Sequence, residues 1–289
     1  MAVPDFVIAP RTRDLGDGFM VKRVLPAAER RTVGPFVFFD HFGPLTLKPG
    51  KGMDVRPHPH IGLSTLSYLF DGEILHRDSL GTVRIIRPGE VNWMTAGKGI
   101  AHSERTPDGA RRAGSSLHGI QSWLALPEKD QEVAPSFVHC GTSDLPTVNA
   151  PGARLRVIAG DFHGAQSPVP MFSETFYGDL AMDAGGRFTL PPIHEERAIY
   201  IAAGTIGIDG TTFEAGHMLV FLKDDTLTIE ATKASRLILL GGAPLDGPRH
   251  IWWNFVSSSK DRIEQAKTDW KEGKFGSVPG ETEFIPLAE

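Results

Sequence analysis

The sequence predicts an all-β protein made of two tandem β-barrels with a short C-terminal helix, and three observations carry that expectation. Glycine (32) and proline (22) are abundant among the 289 residues, a composition that weakens helix interiors but suits short strands joined by many turns. Apolar runs are short, and each is closed by Gly, Pro or Asp. A strand-and-turn pattern in the first half also recurs in the second.

The runs Gly34–Phe39, Ser64–Phe70, Val83–Ile86 and Leu117–Leu126 read as strands of the first half, and Arg154–Ile158, Ala198–Ala202, His217–Leu222 and Arg236–Leu240 as strands of the second. Between them Gly141–Gly152 (GTSDLPTVNAPG) concentrates turn formers, so the expected domains are 1–140 and 141–289. The repeat is visible where Tyr68-Leu-Phe-Asp-Gly72 returns as Tyr200-Ile-Ala-Ala-Gly204, and the turn Arg87–Glu90 as Glu214–His217. Ser257–Glu272 is the one clear helix. Ser258 or Ser259 caps it, Ile263, Ala266 and Trp270 share a face, and Gly273 follows its end. That face is expected to pack on a barrel.

Hydrophobic residues at 40% and charged residues at 22% exclude a disordered chain. The net charge of −5, with no long Lys/Arg run, argues against direct nucleic-acid binding, because neutralising phosphates needs a basic excess. Cys140 is the only cysteine, which rules out an intrachain disulfide and a thiolate cluster and fits a reducing cytosol. No stretch approaches the ~18 uninterrupted apolar residues of a spanning helix, and the N-terminus lacks a signal-peptide core. The expectation is a cytoplasmic protein without membrane attachment.

The chemistry concentrates in two short motifs. In RPHPHIG, His58 and His60 are two residues apart, which on a strand puts both on one face. Pro57 and Pro59 cannot donate ladder hydrogen bonds, so this strand is expected to be irregular or at an edge. His102 and Glu104 in GIAHSE repeat the spacing. Three imidazoles and a carboxylate suit Fe, Mn, Ni, Cu or Zn. Spacing alone does not decide, since 11 His in 289 residues give roughly 0.4 His-x-His and about 1.3 His-x-acid pairs by chance. A metal site and ordinary histidines both remain open at this point.

Context narrows the choice. Gly52, then His58-x-His60, the turn glycine Gly72 and a second motif ending in His102 resemble the pattern of the cupin superfamily. More narrowly, VGPFVFFDHFGP (Val33–Pro44), RPHPHIGLSTLSYLFDGEILHRDSLG (Arg56–Gly81), RPGEVNWMTAGKGIAHSE (Arg87–Glu104), LHGIQSWLALP (Leu117–Pro127) and the closing segment His250–Gly276 resemble the pirin family in the family's order. The resemblance implies a bicupin of two cupin-type barrels. It implies one divalent metal ion, Fe first with Mn, Ni, Co, Cu or Zn as alternatives, held by His58, His60, His102 and Glu104. It further implies quercetin 2,3-dioxygenase-like activity on flavonols, with Glu104 also taking the substrate's hydroxyl proton. The alternative it carries is a redox-sensitive regulator that docks on a partner protein, and a purely structural metal is a third reading. One departure is that Ser64 or Thr65 stands where the first cupin motif usually has a glutamate.

In the second half the repeat sets Leu190 and Pro192 opposite His58 and His60, and Ile229 and Ala231 opposite His102 and Glu104, so no second metal is expected. His194, Glu195, Glu196 and His217 fall outside that register. His41 and His76 read as turn or supporting residues, Trp93 and Met94 as packing first with the wall of an aromatic substrate site as the alternative, Trp252 and Trp253 as core beside the helix, and Cys140 as a packed thiol.

Overall fold

The computed structural model describes residues 3–15, 19–222 and 225–287. Each apolar run named above lies in or across a strand, because its bounding Gly, Pro and Asp residues take the turns. Ser64–Phe70 falls inside the strand Leu63–Asp71, and Val83–Ile86 is reproduced to the residue. A one-and-a-half-turn helix, Asp108–Ala113, was not foreseeable from its polar, non-periodic sequence and buries none of its residues.

The strands form two units with one plan. In one unit, a four-stranded antiparallel sheet has the order Asp54–His60, Ile100–Arg105, Ile74–Asp78, Val83–Ile86. The other unit repeats that order with Arg187–Leu190, Leu227–Ala231, Thr205–Ile208, Thr211–Glu214. The larger sheets correspond as well: Val91–Thr95, Leu63–Asp71 and Ser115–Ala125 are neighbours in the first, as are Met218–Phe221, Glu196–Ala203 and Ser235–Gly242 in the second. The repeat read from Tyr68 and Tyr200 is therefore structural.

The ladders correct its register by two residues. His58 pairs with His102, and at the repeated position Leu190 pairs with Leu227. Leu227 and Ile229, rather than Ile229 and Ala231, stand where His102 and Glu104 stand, because the second half has two fewer residues between its glycine turn and this strand. A two-residue slip preserves the face. Leu190, Leu227, Ile229 and Ala231 all lie in the apolar core of their unit with Phe188, Ile199 and Leu239, whereas Pro192 is exposed.

A single cut between residues 140 and 141 does not describe the units, which exchange their terminal segments. One comprises Met1–Arg13, Val21–His41 and Cys140–Pro244, the other Asp14–Met20, Phe42–His139 and Leu245–Glu289. The N-terminal strand Phe6–Ile8 extends the second-half barrel by pairing with Met218–Val220. The helix, expected in the domain 141–289, belongs to the first-half barrel. It spans Lys260–Lys271 with Ser259 as N-cap, the Ser259 hydroxyl accepting from the Arg262 N–H at 3.3 Å. Its apolar face of Ile263, Ala266 and Trp270 needs an apolar counterpart, and Ile61 and Ala101, at the ends of the two histidine-bearing motifs, supply it together with Phe255, Phe275 and Val278.

Candidate metal centre

The two histidine motifs lie on adjacent antiparallel strands, and the registers His60↔Ile100 and His58↔His102 place His58, His60 and His102 on one face. The strand Asp54–His60 is the sheet edge and carries an irregularity between the pairs His58↔His102 and Val55↔Glu104. That interval holds Arg56 and Pro57, so the proline without an N–H falls where the ladder is interrupted, as expected from its chemistry. The alternate residues Pro59 and Ala101 face the other way, and Ala101 packs into the cluster around the helix.

The three imidazoles converge. Each offers a nitrogen within 4.8 Å of the other two, and among the described residues this is the group of three His, Cys, Asp or Glu side chains that could hold an ion. His60 Nε2 and His102 Nε2 are 3.1 Å apart. Two nitrogens at right angles around one ion, each about 2.1 Å from it, would be about 3.0 Å apart. The spacing thus matches one edge of a coordination shell. His58 Nδ1 donates to the Arg56 carbonyl at 2.9 Å, which leaves its Nε2 with a lone pair. His60 Nδ1 is buried and makes no well-formed hydrogen bond, although the Asn254 backbone acts on its ring.

Burial sets the protonation of this group. His58 is 6% exposed, His60 and His102 1% each. Desolvation lowers His58 to about 4 despite the Arg56 carbonyl, and it drives His60 and His102 well below the ordinary imidazole value, with repulsion from neighbouring histidines adding to it. Three neutral nitrogens packed together could serve as metal ligands and do not form a cationic patch.

Glu104 shares the face of His102 but is not among the converging ligand atoms. Its carboxylate accepts from the Ser67 hydroxyl at 3.2 Å, while the same hydroxyl lies 2.8 Å from Gln121 Oε1. One hydroxyl hydrogen serves one of these at a time. Burial raises the Glu104 carboxyl above its usual range, against the opposing pull of His76 and Ser67.

Two residues beside the site, Trp123 and Asp78, escaped sequence reasoning. Trp123 is buried on the neighbouring sheet and meets the His60 ring edge-on at 5.1 Å. His76, in the supporting role its sequence suggests, lies with Nδ1 3.4 Å from His102 Nδ1 and stacks on Phe137 at 4.5 Å. Behind it, Asp78 accepts from His76 Nε2 at 3.0 Å. Burial pushes the Asp78 carboxyl up, but the hydrogen bonds from His76 and Thr82 outweigh this and hold it low. The residues 74–78 join the site only through the cross-strand pairs His102↔Asp78 and Glu104↔His76, which no local pattern encodes.

The other histidines singled out in the sequence lie elsewhere. His41 Nδ1 bonds the Tyr200 hydroxyl at 2.7 Å in the other unit. His194 Nδ1 pairs with Glu174 at 2.6 Å, and His217 Nδ1 donates to the Glu214 carbonyl at 3.2 Å. Trp93 and Met94 are buried, with the Trp93 indole donating to the Thr95 hydroxyl at 3.0 Å, and Cys140 is buried with its thiol pushed up by desolvation. Trp252 and Trp253 are half-buried against the helix cluster. No described helix is long and apolar enough to cross a membrane.

Comparison with known proteins places this geometry. A family model described as Pirin matches residues 18–124, and one described as Pirin C-terminal cupin domain matches residues 177–276. A pirin-like protein of Caulobacter vibrioides is 51% identical over 99% of this chain and 99% of its own length. A Pseudomonas aeruginosa protein, provisionally named a quercetin 2,3-dioxygenase, is 41% identical over 94% of this chain and 85% of its own length. The crystal structure of a quercetin 2,3-dioxygenase from Acinetobacter baumannii superposes with a TM-score of 0.90 at 34% identity, covering 98% of this chain and 95% of that one.

Proposed function

This chain belongs to the pirin family, and on that premise we propose that it is a mononuclear metal-dependent dioxygenase acting on flavonols, of the quercetin 2,3-dioxygenase type. The observation that carries the reading is the convergence of three buried, neutral imidazoles within 4.8 Å, in a chain 34% identical to a quercetin 2,3-dioxygenase of known structure.

His58, His60 and His102 would hold the ion, and Glu104, on the same face as His102, would complete the set as the fourth ligand and act as the base. Iron is the favoured ion, and Mn, Co, Ni, Cu and Zn share the same preference for imidazole and carboxylate donors. When bound, the ion supplies Lewis acidity towards the substrate's 3-hydroxyl oxygen and redox chemistry for dioxygen. The chain's own residues do the rest. Glu104, raised by desolvation towards the working range of a general base, takes the 3-hydroxyl proton on its carboxylate. Ser67 can hold that carboxylate while it is charged and turn to Gln121 once it is protonated. Trp123 and the burial of all three imidazoles keep bulk water from the ligands.

The test is aerobic turnover of quercetin by protein loaded separately with Fe, Mn, Co and Ni, following flavonol loss together with carbon monoxide. Metal-dependent release of carbon monoxide, abolished in His102→Ala, is expected. Turnover no faster than free metal in every loaded form would refute the activity.

A further inference from the structure

The metal-facing nitrogen of His102 is not chosen by a backbone carbonyl, as that of His58 is, but by two side chains outside the ligand set. Asp78 is fully buried, and its two carboxylate oxygens have separate tasks. Oδ1 accepts from the Leu80 and Thr82 backbone N–H groups at 2.9 and 3.0 Å, and Oδ2 faces His76 Nε2 at 3.0 Å. A carboxylate in this role only accepts, so His76 carries its hydrogen on Nε2. In the singly protonated form of His76 that hydrogen is its only one, and Nδ1 then presents a lone pair. The atom opposite it, at 3.4 Å, is His102 Nδ1. His102 Nδ1 must then donate, and its lone pair is left on Nε2, the atom 3.1 Å from His60 Nε2.

We propose that Asp78 and His76 are positioning residues that fix the tautomer of His102 for metal binding, through a relay Asp78–His76–His102 in which no group changes charge. The stacking of Phe137 on His76 holds the middle ring in plane for both bonds. The inference rests on the reading of His58, His60 and His102 as a metal site, and it extends the familiar carboxylate–histidine–metal arrangement by one ring.

The relay makes a prediction that mere packing does not. In Asp78→Asn, the two backbone N–H groups still require an oxygen at the Oδ1 position, so the amide nitrogen occupies the Oδ2 position and donates to His76 Nε2. His76 then carries its hydrogen on Nδ1, which forces His102 to accept there and moves the His102 hydrogen to Nε2, the ligand atom. Asp78→Asn therefore imposes the wrong tautomer, whereas His76→Phe merely releases the choice. The experiment titrates the metal-free wild type and the Asp78→Asn, His76→Phe and doubly substituted proteins with Co²⁺, following the visible d–d bands, and reads the His102 and His76 tautomers from imidazole ¹⁵N shifts in the metal-free wild type. Expected are an affinity loss of about 10- to 100-fold with altered bands in Asp78→Asn, a smaller loss in His76→Phe, and a double variant that binds better than Asp78→Asn alone. The ¹⁵N spectrum should show His102 protonated on Nδ1 and His76 on Nε2. Asp78→Asn within about twofold of wild type, a double variant weaker than the single one, or the opposite tautomers would overturn the relay while leaving the metal site in place. Absence of Co²⁺ binding by the wild type would overturn the metal reading and the relay together. The ¹⁵N assignment decides the question even where a substituted protein fails to fold.

Discussion

At the scale of single residues, burial governs the site. The unfolded chain titrates an imidazole near 6.5, while folded His58 does so at about 4. Between those values the unfolded state binds a proton that the folded state refuses, so stability contributed by keeping His58 neutral is complete above about pH 6.5 and is lost as pH falls towards 4. The shift corresponds to on the order of 3 kcal/mol. Glu104 works in the opposite sense. Its raised carboxyl holds a proton in the folded state that the unfolded chain has released, so it costs stability as pH rises above 4.5. Thermal melts of the metal-free protein should show the melting temperature dropping from pH 7 to pH 4.5, with a shallower slope in His58→Gln; parallel slopes in the two proteins would contradict the assignment. Glu104→Gln should keep most of its folded stability yet lose flavonol turnover by about 10²- to 10⁴-fold. If kcat with bound metal is unchanged, Glu104 is not the base.

At the scale of elements, the edge strand Asp54–His60 and its neighbour Ile100–Arg105 are held from behind by the C-terminal segment. Ser103 and Arg105 alternate with His102 and Glu104, and both bond Glu281: the Ser103 hydroxyl at 2.8 Å and Arg105 Nε at 2.9 Å donate to its carboxylate. The Ile285 N–H donates to the Pro57 carbonyl at 2.8 Å, and the Trp270 indole donates to the Ile285 carbonyl at 3.0 Å. The two histidine-bearing strands thus present histidines on one side and meet a clasp on the other. Glu281→Gln removes the charge from a buried acceptor of three donor groups and should cost about 1–3 kcal/mol in denaturant unfolding. Trp270→Ala, which also empties part of the helix cluster, should cost about 3–5 kcal/mol. Glu283→Gln, which alters a half-exposed carboxylate paired with Arg105, should change stability by less than about 1 kcal/mol. Equal effects from Glu281→Gln and Glu283→Gln would show that the clasp contributes nothing specific.

These elements also show what sequence can and cannot disclose. Strands such as Leu63–Asp71 were legible because their ends are local chemistry, Asp71-Gly72 on one side and Gly62 on the other. The helix was legible because its N-cap and three apolar positions sit within one segment. His58, His60 and His102 were legible as two spaced motifs, yet their meeting depends on a cross-strand register. Asp78 and Trp123 were hidden for the same reason, each joining the site from a strand with no motif of its own. The clasp at Glu281 was hidden more deeply, since Glu281–Ile285 has no regular secondary structure and is recognisable only by its partners. The terminal exchange between units, with Phe6–Ile8 in one barrel and the helix in the other, follows from long-range pairing that turn composition near residue 141 does not report.

At the scale of the molecule, two units of one strand plan have separate fates. One retains three imidazoles at positions where the other has Leu190, Leu227 and their apolar neighbours in a closed core. Positions that carry histidines in the first unit are apolar packing in the second, so metal should affect only one of them. Saturation at about 100 times Kd should stabilise the protein by about 2.7 kcal/mol, a rise of ~5 °C in melting temperature, and chelation should reverse it. A melting temperature indifferent to metal and chelator would count against binding to the folded state. The most direct test of the central claim is elemental analysis of protein purified without added metal, beside His58→Ala and His102→Ala prepared identically. About one equivalent of a transition metal per chain in the wild type, falling below about one-tenth in both variants, is the predicted result. Equal metal content in all three proteins would contradict it.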